Sequence, residues 1–122
     1  MAQVQNLMAF GTAPLLAQAI VGEVANNLTA VGTTQANALK LAVATNIVTT
    51  AAASTGVQLP STSQGDAITV ANLGANALLV YPVVGGAIQT GATNAGFSVP
   101  TLKTAVFTAR DATGNMIVNL SA

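Results

Sequence analysis

The chain of 122 residues contains no cysteine, no histidine and no tryptophan. Without cysteine there is no disulfide framework, and the redox compartment leaves no mark on the sequence. Without histidine or cysteine, the commonest general base, the best thiol nucleophile and the main transition-metal ligands are missing. Charge is the next scarcity. Three basic and three acidic residues make up 5% of the chain and cancel, where an ordinary soluble domain carries about 25%. The six are Glu23, Lys40, Asp66, Lys103, Arg110 and Asp111. Three scattered cations cannot neutralise a run of phosphates, so no nucleic-acid partner is expected.

Long hydrophobic runs are also lacking. A spanning helix needs about 20 apolar residues, and the stretch from Leu7, "LMAFGTAPLLAQAIV", is interrupted by Pro14 and Gln18 and followed by Glu23. No membrane span is expected. A secretory signal places positive charge before its apolar stretch; the first lysine is Lys40, so none is expected here.

What the chain does have is a near-normal apolar share, 52%, set among Thr, Asn, Gln, Ser and Gly. Disorder is not expected at that hydrophobicity. A neutral surface offers little repulsion between copies, and the centres of protein interfaces are depleted in charge. The composition therefore points to assembly rather than to a solitary monomer.

The pattern changes near residue 30, which divides the chain into an N-terminal segment, 1–30, and a β domain, 31–122. Thr12 and Pro14 form a helix-start signal, and Leu15, Leu16, Ala19 and Ile20 follow at helical spacing. This predicts an extended arm over residues 1–10 and a short helix over about 13–21, stopped by Gly22 and Asn26-Asn27. Beyond residue 30, alternation with period two takes over. "NALKLAV", "NIVTT", "GVQLP", "AITVAN", "ALLVYP", "FSVP", "TAVFTA" and "NMIVNL" read as short strands separated by turn residues. Residues 65–82, "GDAITVANLGANALLVYP", read as a β-hairpin. No repeat of fixed period stands out. The fold class expected is mainly β: an antiparallel two-sheet sandwich, jelly-roll-like, with a short N-terminal arm and helix. Ile68, Val70, Val80, Phe107 and Val118 are expected inside.

Chemistry-bearing groups are few. Asp66 and Asp111 could in principle form an acid–base pair, but each sits in turn sequence, where a carboxylate accepts from backbone N–H groups. No serine lies in a nucleophile turn, and no glycine loop has phosphate-binding spacing. Catalytic, cofactor-binding and metal-binding residues are all expected to be absent. Tyr81, the only tyrosine, is expected in the core with its hydroxyl at the rim. The ten asparagines are expected in turns and neutral edges rather than in a sugar-binding surface.

From Gly32 to Leu120 the chain resembles a module of structural proteins of tailed bacteriophages. The pieces that carry the resemblance are "GTTQANAL", "NIVTTA", "TGVQLP", "GDAITVANLGANALLVYP" and "DATGN". The resemblance implies a virion component without catalytic residues. Its best fit is a capsid decoration (cement) protein that binds the major capsid protein on the outer surface of the head, often as a homotrimer. The alternative is a tail or fibre component that binds a host receptor or glycan. The N-terminal segment lies outside the resemblance. Its side chains Val4, Leu7, Met8, Phe10, Leu15, Leu16 and Ile20 are apolar enough that they must dock somewhere. They are the candidate inter-subunit and capsid contacts.

Overall fold

A computed structural model describes residues 23–122. The expected arm, helix and candidate contacts Val4, Leu7, Met8, Phe10, Leu15, Leu16 and Ile20 lie outside the described residues. Nine strands follow: β1 (Val24–Thr29), β2 (Leu39–Lys40), β3 (Thr45–Thr50), β4 (Gly56–Gln58), β5 (Ala67–Asn72), β6 (Leu78–Tyr81), β7 (Phe97–Val99), β8 (Thr104–Ala109) and β9 (Met116–Leu120). Among the described residues there is no helix. β1 lies before the division drawn at residue 30, and its Asn26-Asn27 pair is part of a strand rather than a helix stop. Asn27 takes φ 55°, and the register slips between Ala25 and Leu28. A bulge of this kind blunts an outer strand edge.

The strands form two mixed sheets, with orders β1-β3-β5-β8-β9 and β2-β4-β6-β7. This corrects the expectation of antiparallel sheets and a jelly roll. β1, β3 and β5 pair in parallel, as do β2, β4 and β6. Only β5–β8, β6–β7 and β8–β9 are antiparallel. The first six strands alternate between the sheets, so the chain winds as a two-layer coil. Each turn of the coil, a rung, lays one strand on each layer. Val24 pairs with Thr45, and Thr45 in turn with Thr69, so successive rungs are similar but not identical in length. A repeat of loosely fixed period is therefore present after all, in geometry more than in composition.

Residues 65–82 are not a hairpin. β5 belongs to the five-stranded sheet and β6 to the four-stranded one, and "NLGAN" carries the chain between layers. Asn72 directs this crossing. Fully buried, it donates through Nδ2 to Asn76 O (2.9 Å) and Val99 O (3.0 Å), and accepts from Gly74 N (3.0 Å). Val99 lies in the other sheet, so one amide ties both layers to the connection. Asn76 continues the tie to Ala51 O at 2.9 Å. Asn72→Ala strips two carbonyls and one N–H of their partners in a dry site. It should destabilise by about 1–3 kcal/mol, read by urea unfolding; a change below the error of that measurement would remove Asn72 from this role.

The core fills the space between the sheets. Val48, Val70, Leu78, Val80, Val99 and Phe107 are fully buried, and Ile68 nearly so. Val118 packs against this cluster while remaining half-buried. Alternation along β5 and β8 accounts for the arrangement: Ile68, Val70, Ala105, Phe107 and Ala109 face in, while Thr69, Val106 and Thr108 face out. Phe107 meets Phe97 of the opposite sheet edge-on, with centroids 6.0 Å apart and planes at 86°, a favoured aromatic geometry.

Candidate interaction surface

The two outer faces differ. That of the four-stranded sheet is covered by its own chain. Gln58 and Tyr81, which point outward from β4 and β6, are buried. The Tyr81 ring lies against Gly56 and Gly96, and its hydroxyl donates to Thr33 O at 3.3 Å. Gln35 Nε2 donates to Pro82 O at 2.7 Å, which holds the 33–37 loop down over this face. Tyr81 is thus buried, as expected, but under a loop on the outside of a sheet rather than between the two sheets.

The outer face of the five-stranded sheet has no such cover among the described residues. One row of side chains, Val24–Thr45–Thr69–Val106–Asn119, crosses all five strands in register. Ile47–Ala71–Thr104 lies to one side and Ala67–Thr108–Ile117 to the other. Val24 and Ile117 are about half exposed, at 53% and 49%. No charged residue stands in these rows. Three of the five strands are parallel, and parallel sheets are characteristically covered on both faces. An uncharged, partly parallel sheet face without cover among the described residues is the candidate interaction surface of this fold.

The six charges lie elsewhere. Lys40, on the short β2, donates to Gln35 O and Ala36 O. Lys103 stands just before β8, and Arg110 just after it. Asp66 accepts from Ser63 N at 2.8 Å in the turn that leads into β5. Asp111 opens the β8–β9 turn: its Oδ1 accepts from Thr113 N (2.9 Å) and Thr113 Oγ1 (2.7 Å), and its Oδ2 from Asn115 Nδ2 (2.9 Å). These side-chain bonds, the one from Asn115 foremost, hold the Asp111 carboxyl well below the usual carboxylate range. Both aspartates are held in turns of their own, as their sequence context predicts. Since the folded state favours the ionised Asp111, its contribution is complete above the unfolded aspartate pKa of about 3.9 and fades as pH falls below that value. Asp111→Asn should therefore melt earlier than the parent at pH 7, with the gap narrowing below about pH 4; a gap independent of pH would discount the turn carboxylate.

The remaining polar groups do structural work. Asn94 Oδ1 accepts from Gly85 N at 2.6 Å, and Asn46, fully buried, donates to Val43 O at 2.9 Å. Asn46 Oδ1 meets no donor among the described residues. A shallow cleft of about 300 Å³ beside β9 is lined by Gln89, Thr90, Arg110, Met116 and Ile117. It places no nucleophile beside a base. Among the described residues, no group of three acids, histidines or cysteines gathers as metal ligands would. No helix of the described residues is long and apolar enough to cross a membrane.

The sheet edges are partly closed. Ile88 forms a parallel bridge with Met116, and Gln89 Oε1 accepts from Val118 N at 2.8 Å, so the 87–89 segment covers the first half of the β9 edge. Sequence reading missed both this clasp and the contrast between the outer faces. Period two separates in from out within a strand, but does not tell which outer face a loop will cover. Comparison with protein-family models, curated proteins and solved structures gives no match.

Proposed function

We propose that the chain is a non-catalytic structural protein of a tailed-phage virion, a capsid decoration protein that binds the major capsid protein on the outer surface of the head. The uncharged outer face of the five-stranded sheet carries this reading. A face of Thr, Val, Ala and Ile presents area and shape but no chemistry, which suits repetitive attachment to another protein. A standard interface buries about 1,600 Å² in total, roughly 800 Å² from each partner, and a lattice of copies needs only modest affinity at each. The resemblance of residues 32–120 to phage structural modules supplies the class of partner. Self-association as a homotrimer belongs to the same proposal and rests on the resemblance, since a neutral face does not set symmetry.

The test is localisation on particles. Purified protein, gold-labelled, is mixed with heads and with tails of the source phage and imaged by electron microscopy. Label spread over heads supports decoration. Label confined to the tail or its fibres transfers the protein to receptor or glycan binding, and label on neither overturns the virion reading. Light scattering at micromolar concentration reports the oligomer.

A further inference from the structure

β9 has the composition of a strand that pairs with copies of itself. Its sequence, Met116-Ile117-Val118-Asn119-Leu120, carries no charge and no proline. Short apolar strands without either are the ones that add to other chains. A net charge of zero sets little repulsion against such pairing.

The side of β9 turned away from β8 is occupied by the chain's own 87–89 segment. Met116 N donates to Ala87 O at 2.9 Å, and Gln89 N donates to Met116 O at 2.8 Å. These two bonds make the parallel bridge between Ile88 and Met116. Continued by one step, a parallel ladder would bring Val118 N to the backbone carbonyl of Gln89. Val118 N instead donates to the side-chain carbonyl of that same residue, Gln89 Oε1, at 2.8 Å. The reason is the Gln89 backbone. Its φ of 54° lies in the left-handed region, which turns the chain off the strand path. Glycine adopts this region at less cost, but it has no amide to reach β9. The segment therefore pairs for one bridge, leaves, and caps the next N–H as it goes.

The segment is anchored on several sides. Ile88 is buried in the core. A Cβ on Gly86 would collide with the Gly114 carbonyl oxygen, so the loop seats directly on the β8–β9 turn. Asn94 fastens the far limb of the loop: its N donates to Gly86 O at 2.8 Å, and its Oδ1 accepts from Gly85 N at 2.6 Å.

We propose that the 87–89 segment is an autoinhibitory edge guard: it occupies the β9 positions that would otherwise pair with an extended strand of a second copy of this chain, and so keeps copies from joining edge to edge. The guard stands independently of the virion reading.

Gln89→Pro tests it. Proline fixes φ at about −65°, lacks the N–H that reaches Met116 O and has no side-chain carbonyl. The substitution is made in full-length protein that also carries Thr69→Lys, which charges the outer face of the five-stranded sheet, and is compared with Thr69→Lys alone. Failure of the face as an interface then shows in the reference protein, and failure of the guard shows in the difference. Sedimentation velocity should show the proline variant associating at least about tenfold more tightly, as hydrogen bonds pass from the guard to a second copy. Hydrogen exchange at residues 116–120 should slow as its concentration rises. A folded proline variant that associates like the reference overturns the guard. So does association that leaves exchange at 116–120 independent of concentration, because the copies then meet elsewhere. Where proline abolishes folding, Gln89→Gly decides: it keeps the positive φ and the N–H, and removes only the partner of Val118 N. It should associate more tightly than the reference by a smaller factor, and equality with the reference overturns the guard.

Discussion

Thr69→Lys is expected to abolish self-association and head binding while leaving the fold intact. Thr69 lies on β5, the central strand of the five-stranded sheet, in the middle of the row Val24–Thr45–Thr69–Val106–Asn119. Its side chain points out, so an ammonium there stays hydrated in the free protein, and stability should change by no more than about 0.5 kcal/mol. Docking would have to strip that hydration with no acid in the rows to pair with it. Uncompensated burial of a charge costs about 3 kcal/mol or more, which lowers affinity by about 100-fold. The measurement is co-sedimentation with heads beside light scattering of the free protein. A Thr69→Lys variant that binds and associates like the parent would show that this face is not the interface.

Phe107→Ala carries the largest expected loss of stability. Phe107 is the largest fully buried side chain among the described residues and meets Phe97 of the other sheet. Truncating a buried phenylalanine costs about 3–5 kcal/mol through lost transfer energy and the cavity left behind. Since small domains are stable by only about 5–15 kcal/mol, the variant should be partly unfolded at 37 °C or close to it. Urea unfolding should show a lower midpoint with an unchanged slope. A cost below about 1 kcal/mol would mean that the sheets do not close on this ring.

These two substitutions lie on adjacent strands, one facing out and one facing in, and that distinction was legible from the sequence. Alternation in "AITVAN" and "TAVFTA" placed Ile68, Val70 and Phe107 inside, and the turn chemistry of "DATGN" placed the β8–β9 hairpin. The partner of each strand was not legible. A strand with period two fits a parallel neighbour as well as an antiparallel one, and the connection between β5 and β6 is as short as a hairpin loop. The crossing shows only in the long-range pairing of β5 with β3 and β8 and of β6 with β4 and β7, supported by the Asn72 bonds to both layers, and no local pattern displays it. β1 was hidden for a related reason. Its Asn26-Asn27 bulge looks like a stop signal, and its partner β3 lies a whole rung further along the chain. Of the candidate surface, the absence of charge was legible, but its location on one sheet was not. The loop that shields the other sheet is held by Gln35 and Thr33, residues with no sequence signature for that task.

The coil also orders the events of folding. A hairpin such as β8–β9 closes a short loop and forms in roughly microseconds. Each parallel pair instead waits for an entire rung to be laid down, so its contacts are longer-range and slower to form. β5 gains its antiparallel neighbour only when β8 has been made. The parallel rungs, although made before β8 and β9, are therefore expected to be secured after them, with the β8–β9 hairpin as the expected nucleus. Pulse-labelled refolding should protect amides of residues 116–120 before those of 45–50; the reverse order would place the nucleus in the coil. A nascent chain of this design displays its neutral strands before they have sheets to join, which makes the interval of synthesis its period of greatest exposure to aggregation.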